Sequence, residues 1–236
     1  MIKTSLVSIV MPTYNRENFI EKSLNDILDQ DYPYIEFIIV DDGSTDNTEH
    51  IVKKYKSIKY IKKENGGTGS ALNLGFSLAK GKYGTWVSDD NRYYSNFISS
   101  LVNILEQYGE KFVFSSFHLD GKEIGAIAIG RDDFIIVDNF LEISLNFCIT
   151  GICYLFDMNL KRECGDYILD PGEDYLMAVQ MASKTSVGFL NLPLGEYISH
   201  PGTVTSKYVH KQPLLGAIKA REFALGVLSG KNRLVS

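Results

Sequence analysis

The stretch Ile38-Ile39-Val40-Asp41-Asp42-Gly43-Ser44-Thr45-Asp46-Asn47-Thr48 decides the fold. A buried-type strand stops at two adjacent carboxylates, and a Gly-Ser turn then leads into a helix. In an open α/β sheet, ligands bind outside the carboxyl ends of the parallel strands, so Asp41 and Asp42 are expected at a binding crevice. A helix cap at Asp42 or Ser44 would account for one such carboxylate alone.

Working outward, short apolar runs at residues 6–11, 37–40, 58–61 and 83–87 read as four strands separated by helical patterns. That is a βαβαβαβ array and predicts a parallel sheet. The first helix is expected to bury Ile20, Leu24, Ile27 and Leu28, and the third to run through Leu72 and Phe76 to Leu78, ending near Gly81. Beyond Tyr108 the pattern loosens, with strand-like residues 111–117, 126–129 and 152–156 around shorter helices. No linker divides the chain. The reading is therefore one domain over residues 1–236, its two lobes, 1–108 and 109–236 with the C-terminal helix, sharing one core.

The chain has 236 residues, 44% hydrophobic and 22% charged, with a net charge of −5 and no Lys/Arg stripe, which excludes a nucleic-acid polymer as partner. An acidic protein that binds a diphosphate needs a counter-charge, so Mg²⁺ or Mn²⁺ held by carboxylates is expected. Cys148, Cys153 and Cys164 are odd in number and lack a CxxC pair, which reads as reduced core cysteines. With no secretory leader or membrane-length segment in view, the expected location is cytoplasmic. An apolar C-terminal helix with Leu214, Leu215, Ile218 and Leu225 leaves internal packing, dimerisation and peripheral contact with the inner face of a membrane open, internal packing first.

Two further clusters carry chemistry. Trp86-Val87-Ser88-Asp89-Asp90-Asn91 again ends a strand in adjacent carboxylates, and Asp90 is placed to hold a hard cation. Gly172-Glu173-Asp174-Tyr175-Leu176 opens a helix, and Asp174 is the candidate general base. Gly66-Gly67-Thr68-Gly69 mimics a dinucleotide loop, but it follows the third strand rather than the first, so an NAD enzyme is a poor reading.

Together these residues resemble the family 2 glycosyltransferases with the GT-A fold, including the spore-coat polysaccharide type. The resemblance rests on the opening Val7 to Arg16, VDDGSTDNT, Glu64 to Gly67 with Asn73 and Gly75, Gly81-Lys82-Tyr83, Ser88-Asp89-Asp90 and Gly172-Glu173-Asp174. It implies a Rossmann-like, mostly parallel central sheet flanked by helices, and an inverting transfer of a sugar from a nucleotide-sugar, a UDP-sugar first, to a hydroxyl of a saccharide or lipid-linked acceptor. By the same resemblance Pro12, Thr13, Tyr14, Asn15, Arg16, Asp41, Asp42, Gly67, Asn73, Ser88 and Asp89 serve the nucleotide. Pro12 and Tyr14 would line the base pocket and Asp42 would accept the uracil imide hydrogen. Asp90 would bind Mn²⁺ or Mg²⁺ with His200 beside it, Asp174 would act as base, and Glu173 and Gly151 would face the acceptor or donor sugar. Ser88 replaces a usual carboxylate and Leu72 a frequent Arg, so a nucleotide-sugar-binding module with little catalysis is the alternative. The oligomeric state stays open.

Overall fold

A computed structural model describes residues 5–124, 133–145, 151–169, 171–200 and 215–230. The first half alternates β1 (Val7–Thr13), α1 (Ile20–Leu28), β2 (Ile35–Asp41), α2 (Thr48–Val52), β3 (Lys59–Lys62), α3 (Thr68–Ser77) and β4 (Tyr83–Trp86). The strands β3, β2, β1 and β4 lie side by side and parallel, with Val10 of β1 paired to Ile38 and to Trp86. Both sheet faces are covered, which is why these strands read as continuous apolar runs rather than alternating ones. Ile9 and Met11 pack with α1 on one side, whereas Val10 packs with Leu72 and Phe76 of α3 on the other.

After the short β5 (Arg92–Tyr93) come α4 (Phe97–Tyr108), β6 (Phe112–Ser115), β7 (Phe117–Leu119), β8 (Lys122–Ile124), β9 (Phe134–Ile136) and α5 (Phe140–Ser144). The chain continues through β10 (Tyr154–Asp157), α6 (Met158–Cys164), α7 (Glu173–Ala182), β11 (Gly188–Leu190), β12 (Gly195–Tyr197) and α8 (Leu215–Leu228). Gly109 closes α4 in the left-handed conformation at φ 74°, its N–H bonded to the Leu105 carbonyl. The main sheet has eight strands in the order β3-β2-β1-β4-β10-β6-β11-β9, so residues on both sides of Gly109 build the same sheet. Only β10 and β9 run against the others, which makes the sheet mostly parallel. A second sheet, β5-β12-β7-β8, lies beyond β4 and β6 in the chain.

Several expectations change here. Leu28 is 38% exposed, and Ser23 takes the inward position, its hydroxyl bonded 2.7 Å to the Asn91 carbonyl. The run 111–117 breaks at Ser116 into β6 and β7, which join different sheets. Residues 126–129, Cys148 and Leu214 lie outside the described residues. In α8 the packed face is Ala217, Ala220 and Ala224 against Tyr175, Leu176 and Val179 of α7, while Leu225 is exposed. Small residues win because the helix is drawn in closely: a Cβ on Gly216 would sit 2.4 Å from the Gly172 carbonyl.

Candidate functional site

Parallel strands bring their carboxyl ends to one edge, so the segments after β1, β2, β3 and β4 share it. The two carboxylates after β2 separate at once. Asp41 is fully buried, accepting from the Ser44 N–H at 2.7 Å and the Tyr60 hydroxyl at 2.5 Å, so it braces the turn and does not reach the crevice as expected. Asp42 accepts from Lys63 Nζ at 2.7 Å and from the N–H groups of Gly66 and Gly67 at 3.0 and 2.7 Å, which fastens the loop after β3 to the end of β2. Lys63 was not legible as a site residue, because one lysine in a charged run carries no local signal.

The loop after β1 and the turn after β2 are laced together. Asn15 takes φ 52°, its N–H donates to Ser44 Oγ at 2.9 Å, and its Oδ1 accepts from the Thr45 N–H at 2.8 Å. The Arg16 N–H donates to Thr48 Oγ1, the Glu17 N–H to Asp46 Oδ2, and the Asn47 N–H to Glu17 Oε2, at 2.8, 3.0 and 3.0 Å. The S-T-D-N-T run is therefore spent on holding two loops rather than on reaching outward. Pro12 stands beyond the last β1–β4 pair, where a missing N–H costs no ladder bond, and Thr13 ends the strand buried. Tyr14 is left 46% exposed on the rim, with a flat aromatic face available to a base.

The acidic turn after β4 gathers three basic or polar partners. Ser88 Oγ donates to Asp90 Oδ1 at 2.6 Å, Arg16 Nε pairs with Asp89 Oδ1 at 3.2 Å, and Arg16 Nη2 stands 3.8 Å from Asp90 Oδ2. Burial pushes the Asp89 carboxyl up to about 7 against the pull of Arg16. His200 Nε2 lies 3.1 Å from the same Asp90 Oδ2, and its ring stacks on Phe19 with centroids 4.5 Å apart. The segment bearing His200 is pinned by Asn91, whose Oδ1 accepts from the Ile198 N–H, and by Asp120, whose Oδ1 accepts from the Ser199 N–H, both at 3.1 Å. Asn91, Asp120 and Phe19 were missed; Asn91 alone had a sequence clue, its place next to Asp90.

Among the described residues no group of three or more His, Cys, Asp and Glu side chains converges as a metal cage. A hard cation that completes its shell with water and phosphate oxygens needs only one or two protein ligands, and the convergence of Asp90 Oδ2 and His200 Nε2 fits that demand.

At α7, Glu173 is 9% exposed, and burial followed by repulsion from Asp174 pushes its carboxyl up to about 7. Asp174 is also raised, by burial, and its Oδ1 accepts from the Tyr175 N–H at 2.7 Å. It borders a small cavity lined by Phe112, Tyr154, Phe156 and Tyr167. Asn73, expected to serve the nucleotide, is engaged elsewhere: its side-chain amide donates to the Tyr167 carbonyl and accepts from the Tyr167 N–H, both at 2.8 Å. It thereby ties α3 to the segment that leads into α7. At Gly69 a Cβ would meet the Ile168 carbonyl oxygen at 2.0 Å, a second point of close approach between the same two pieces. Gly151, at φ 57°, packs on the Phe117 ring. Leu72 is fully buried in the core; among the described residues, Arg16 and Lys63 bring positive charge to this edge.

Residues 8–161 match the family model described as glycosyl transferase family 2. The chain is 40% identical over 193 residues to an uncharacterized glycosyltransferase of Rickettsia typhi, covering 78% of this chain and 61% of that protein. It is 34% identical over 211 residues to glycosyltransferase GlyG of Streptococcus pneumoniae, covering 87% and 66%. Against an uncharacterized glycosyltransferase of Rickettsia felis, 38% identical over 154 residues, the match takes in 63% of this chain but 26% of the relative. Among solved structures, Staphylococcus aureus TarS with UDP-GlcNAc superposes with a TM-score of 0.74 at 19% identity, over 97% of this chain and 74% of that one. The mannosyltransferase PcManGT from Pyrobaculum calidifontis, in complex with GDP-Man and Mn²⁺, gives 0.62 at 17% identity over 99% and 77%. At those identities the likeness is one of fold.

Proposed function

The chain belongs to glycosyl transferase family 2, and from that premise we propose that it moves a sugar from a nucleotide-sugar donor, a UDP-sugar first, onto a hydroxyl of a saccharide or lipid-linked acceptor with inversion. The observation that carries the reading is the meeting of Asp90 and His200, 110 residues apart, beside the Arg16–Asp89 pair at the carboxyl edge of the sheet. Local structure does not demand such a meeting of a carboxylate, an imidazole and a guanidinium, whereas a diphosphate carried with a divalent cation would use all three. The complexes of TarS with UDP-GlcNAc and of PcManGT with GDP-Man and Mn²⁺ support nucleotide-sugars as the donor class to screen.

In this reading the first half holds the donor and the second the acceptor. Tyr14 presents its ring to the base, and Arg16 contributes positive charge at the phosphates. Asp90 and His200 would hold Mn²⁺ or Mg²⁺, which supplies neutralisation of the departing diphosphate. Asp174 accepts the proton of the acceptor hydroxyl as its oxygen attacks the anomeric carbon; the bond from that carbon to the diphosphate breaks and the nucleoside diphosphate leaves. Burial raises the Asp174 carboxyl above its ordinary value, the direction that makes a carboxylate a stronger base. The site of action is the cytoplasm or the inner face of a membrane; among the described residues no helix is long and apolar enough to cross one.

One observation favours the second reading, a binding module with little turnover: an Asp174 oxygen is engaged by the first turn of its own helix. Thermal stabilisation by UDP, GDP, dTDP and NAD⁺, each with and without Mn²⁺, followed by donor-dependent release of nucleoside diphosphate, tests both. A Mn²⁺-dependent shift with turnover supports the transferase, and a shift without turnover supports the module. No shift with any nucleotide refutes both.

A further inference from the structure

A cleft of about 250 Å³ lies between the C-terminal half of α3 and α6, away from the edge that carries Asp42 and Asp90, with Asn73, Phe76, Met158, Lys161, Arg162 and Asp166 in its wall. Lys161 is 6% exposed, its ammonium 5.6 Å from the Phe76 ring centroid and 5.3 Å from that of Tyr167. Its ion pair, with Asp166, spans 3.8 Å, longer than a hydrogen bond, and the Asp166 side chain is 82% exposed. A nearly buried ammonium is costly unless an anion meets it, and burial accordingly pulls the Lys161 pKa down. The rings hold this cation in place, Arg162 adds a second, and the partner carboxylate is solvated.

We propose that this cleft is an anion-binding site for the phosphate or carboxylate group of a small molecule. Its volume, at or below the lower end for small-molecule pockets, admits inorganic phosphate or a compact phosphorylated metabolite and excludes a polymer. Two positive groups in the wall, Lys161 and the neighbouring Arg162, whose Nη1 also donates to Asn159 Oδ1 at 3.0 Å, match the charge of a phosphate, and each charge-assisted bond there is worth more than a neutral one. Occupancy would be felt beyond the cleft. Asn73 lines it and grips the Tyr167 backbone, and Ile168 presses on Gly69, so an anion here steadies the segment leading to Glu173 and Asp174. The proposal does not depend on the transferase reading.

Isothermal titration and thermal shift with inorganic phosphate and, separately, with glucose 1-phosphate test it. The expected result is saturable binding that excess UDP does not displace, weakened about tenfold or more in Lys161→Met, which keeps the apolar stem against the rings, and tightened in Asp166→Asn, which removes the competing carboxylate. Asp166→Asn changes only an exposed side chain, so it reports even if Lys161→Met folds poorly. Absence of saturable binding, displacement by UDP, or equal affinities in the wild type and Asp166→Asn would each overturn the proposal.

Discussion

Replacing Gly69 by Ala tests the link between the two halves. The new Cβ would lie 2.0 Å from the Ile168 carbonyl oxygen and 3.0 Å from its carbon, against an ordinary contact of 3.4 Å or more, so the backbone of residues 167–169 must retreat by about 1.4 Å. That retreat stretches both Asn73–Tyr167 hydrogen bonds, now 2.8 Å, beyond the useful range. Overpacking costs about 1–3 kcal/mol. The two hydrogen bonds add about 0.5–1.5 kcal/mol each, and the better helix propensity of alanine returns up to about 1 kcal/mol. The net loss centres on about 3 kcal/mol, which for a domain of this size lowers Tm by about 6–12 °C. Urea and thermal unfolding measure it, with Ser77→Ala at the other end of α3 as a near-neutral control, since that hydroxyl bonds only the carbonyl of its own helix at Leu74. A Gly69→Ala protein with an unchanged midpoint would mean that the close approach of α3 to this segment is not a constraint, and the argument that Asn73 and Gly69 set the position of α7 would fall.

Asp174→Asn should retain donor binding while turnover drops by about 10²–10⁴-fold, the usual worth of a general base; unchanged turnover removes the assignment. Asp90→Asn should weaken UDP binding in Mn²⁺ more than it weakens uridine binding, because only the diphosphate needs the cation, and equal losses by calorimetry would count against it. Glu173→Gln tests the buried acid. A folded pKa raised from 4.5 to about 7 makes wild-type stability fall as pH rises through that window, so the Gln variant should gain up to about 3 kcal/mol over wild type above pH 7 and nothing below pH 4.5. Parallel stability profiles of the two proteins would refute the burial argument.

Much of the architecture was legible because it is written in short-range periodicity. Continuous apolar runs in β1 and β2 reflect a sheet covered on both faces, and parallel strands put Thr13, Asp42 and Asp90 at one edge before any coordinate is known. Periodicity fails where packing depends on a distant partner. Leu28 looks as apolar as Ile27, yet the inward place goes to Ser23 because the Asn91 carbonyl waits there. Likewise α8 packs through alanines rather than leucines, since Gly172 and Gly216 draw the helices close.

The site divides in the same way. Strand-end position marks out the acidic clusters, but neighbouring aspartates look alike in one dimension, and only the turn's hydrogen bonds send Asp41 to Tyr60 and Asp42 to Lys63 and the Gly66-Gly67 backbone. The sequence by itself determined the four parallel strands of the first half, the edge at which they end and the residue types gathered there. Tertiary structure alone decided that Asn91 and Asp120 pin the segment bearing His200, that Asn73 grips Tyr167, and that the Lys161 ammonium lies beside the Phe76 ring, because each is a contact between segments far apart in the chain whose local sequence carries no record of the partner.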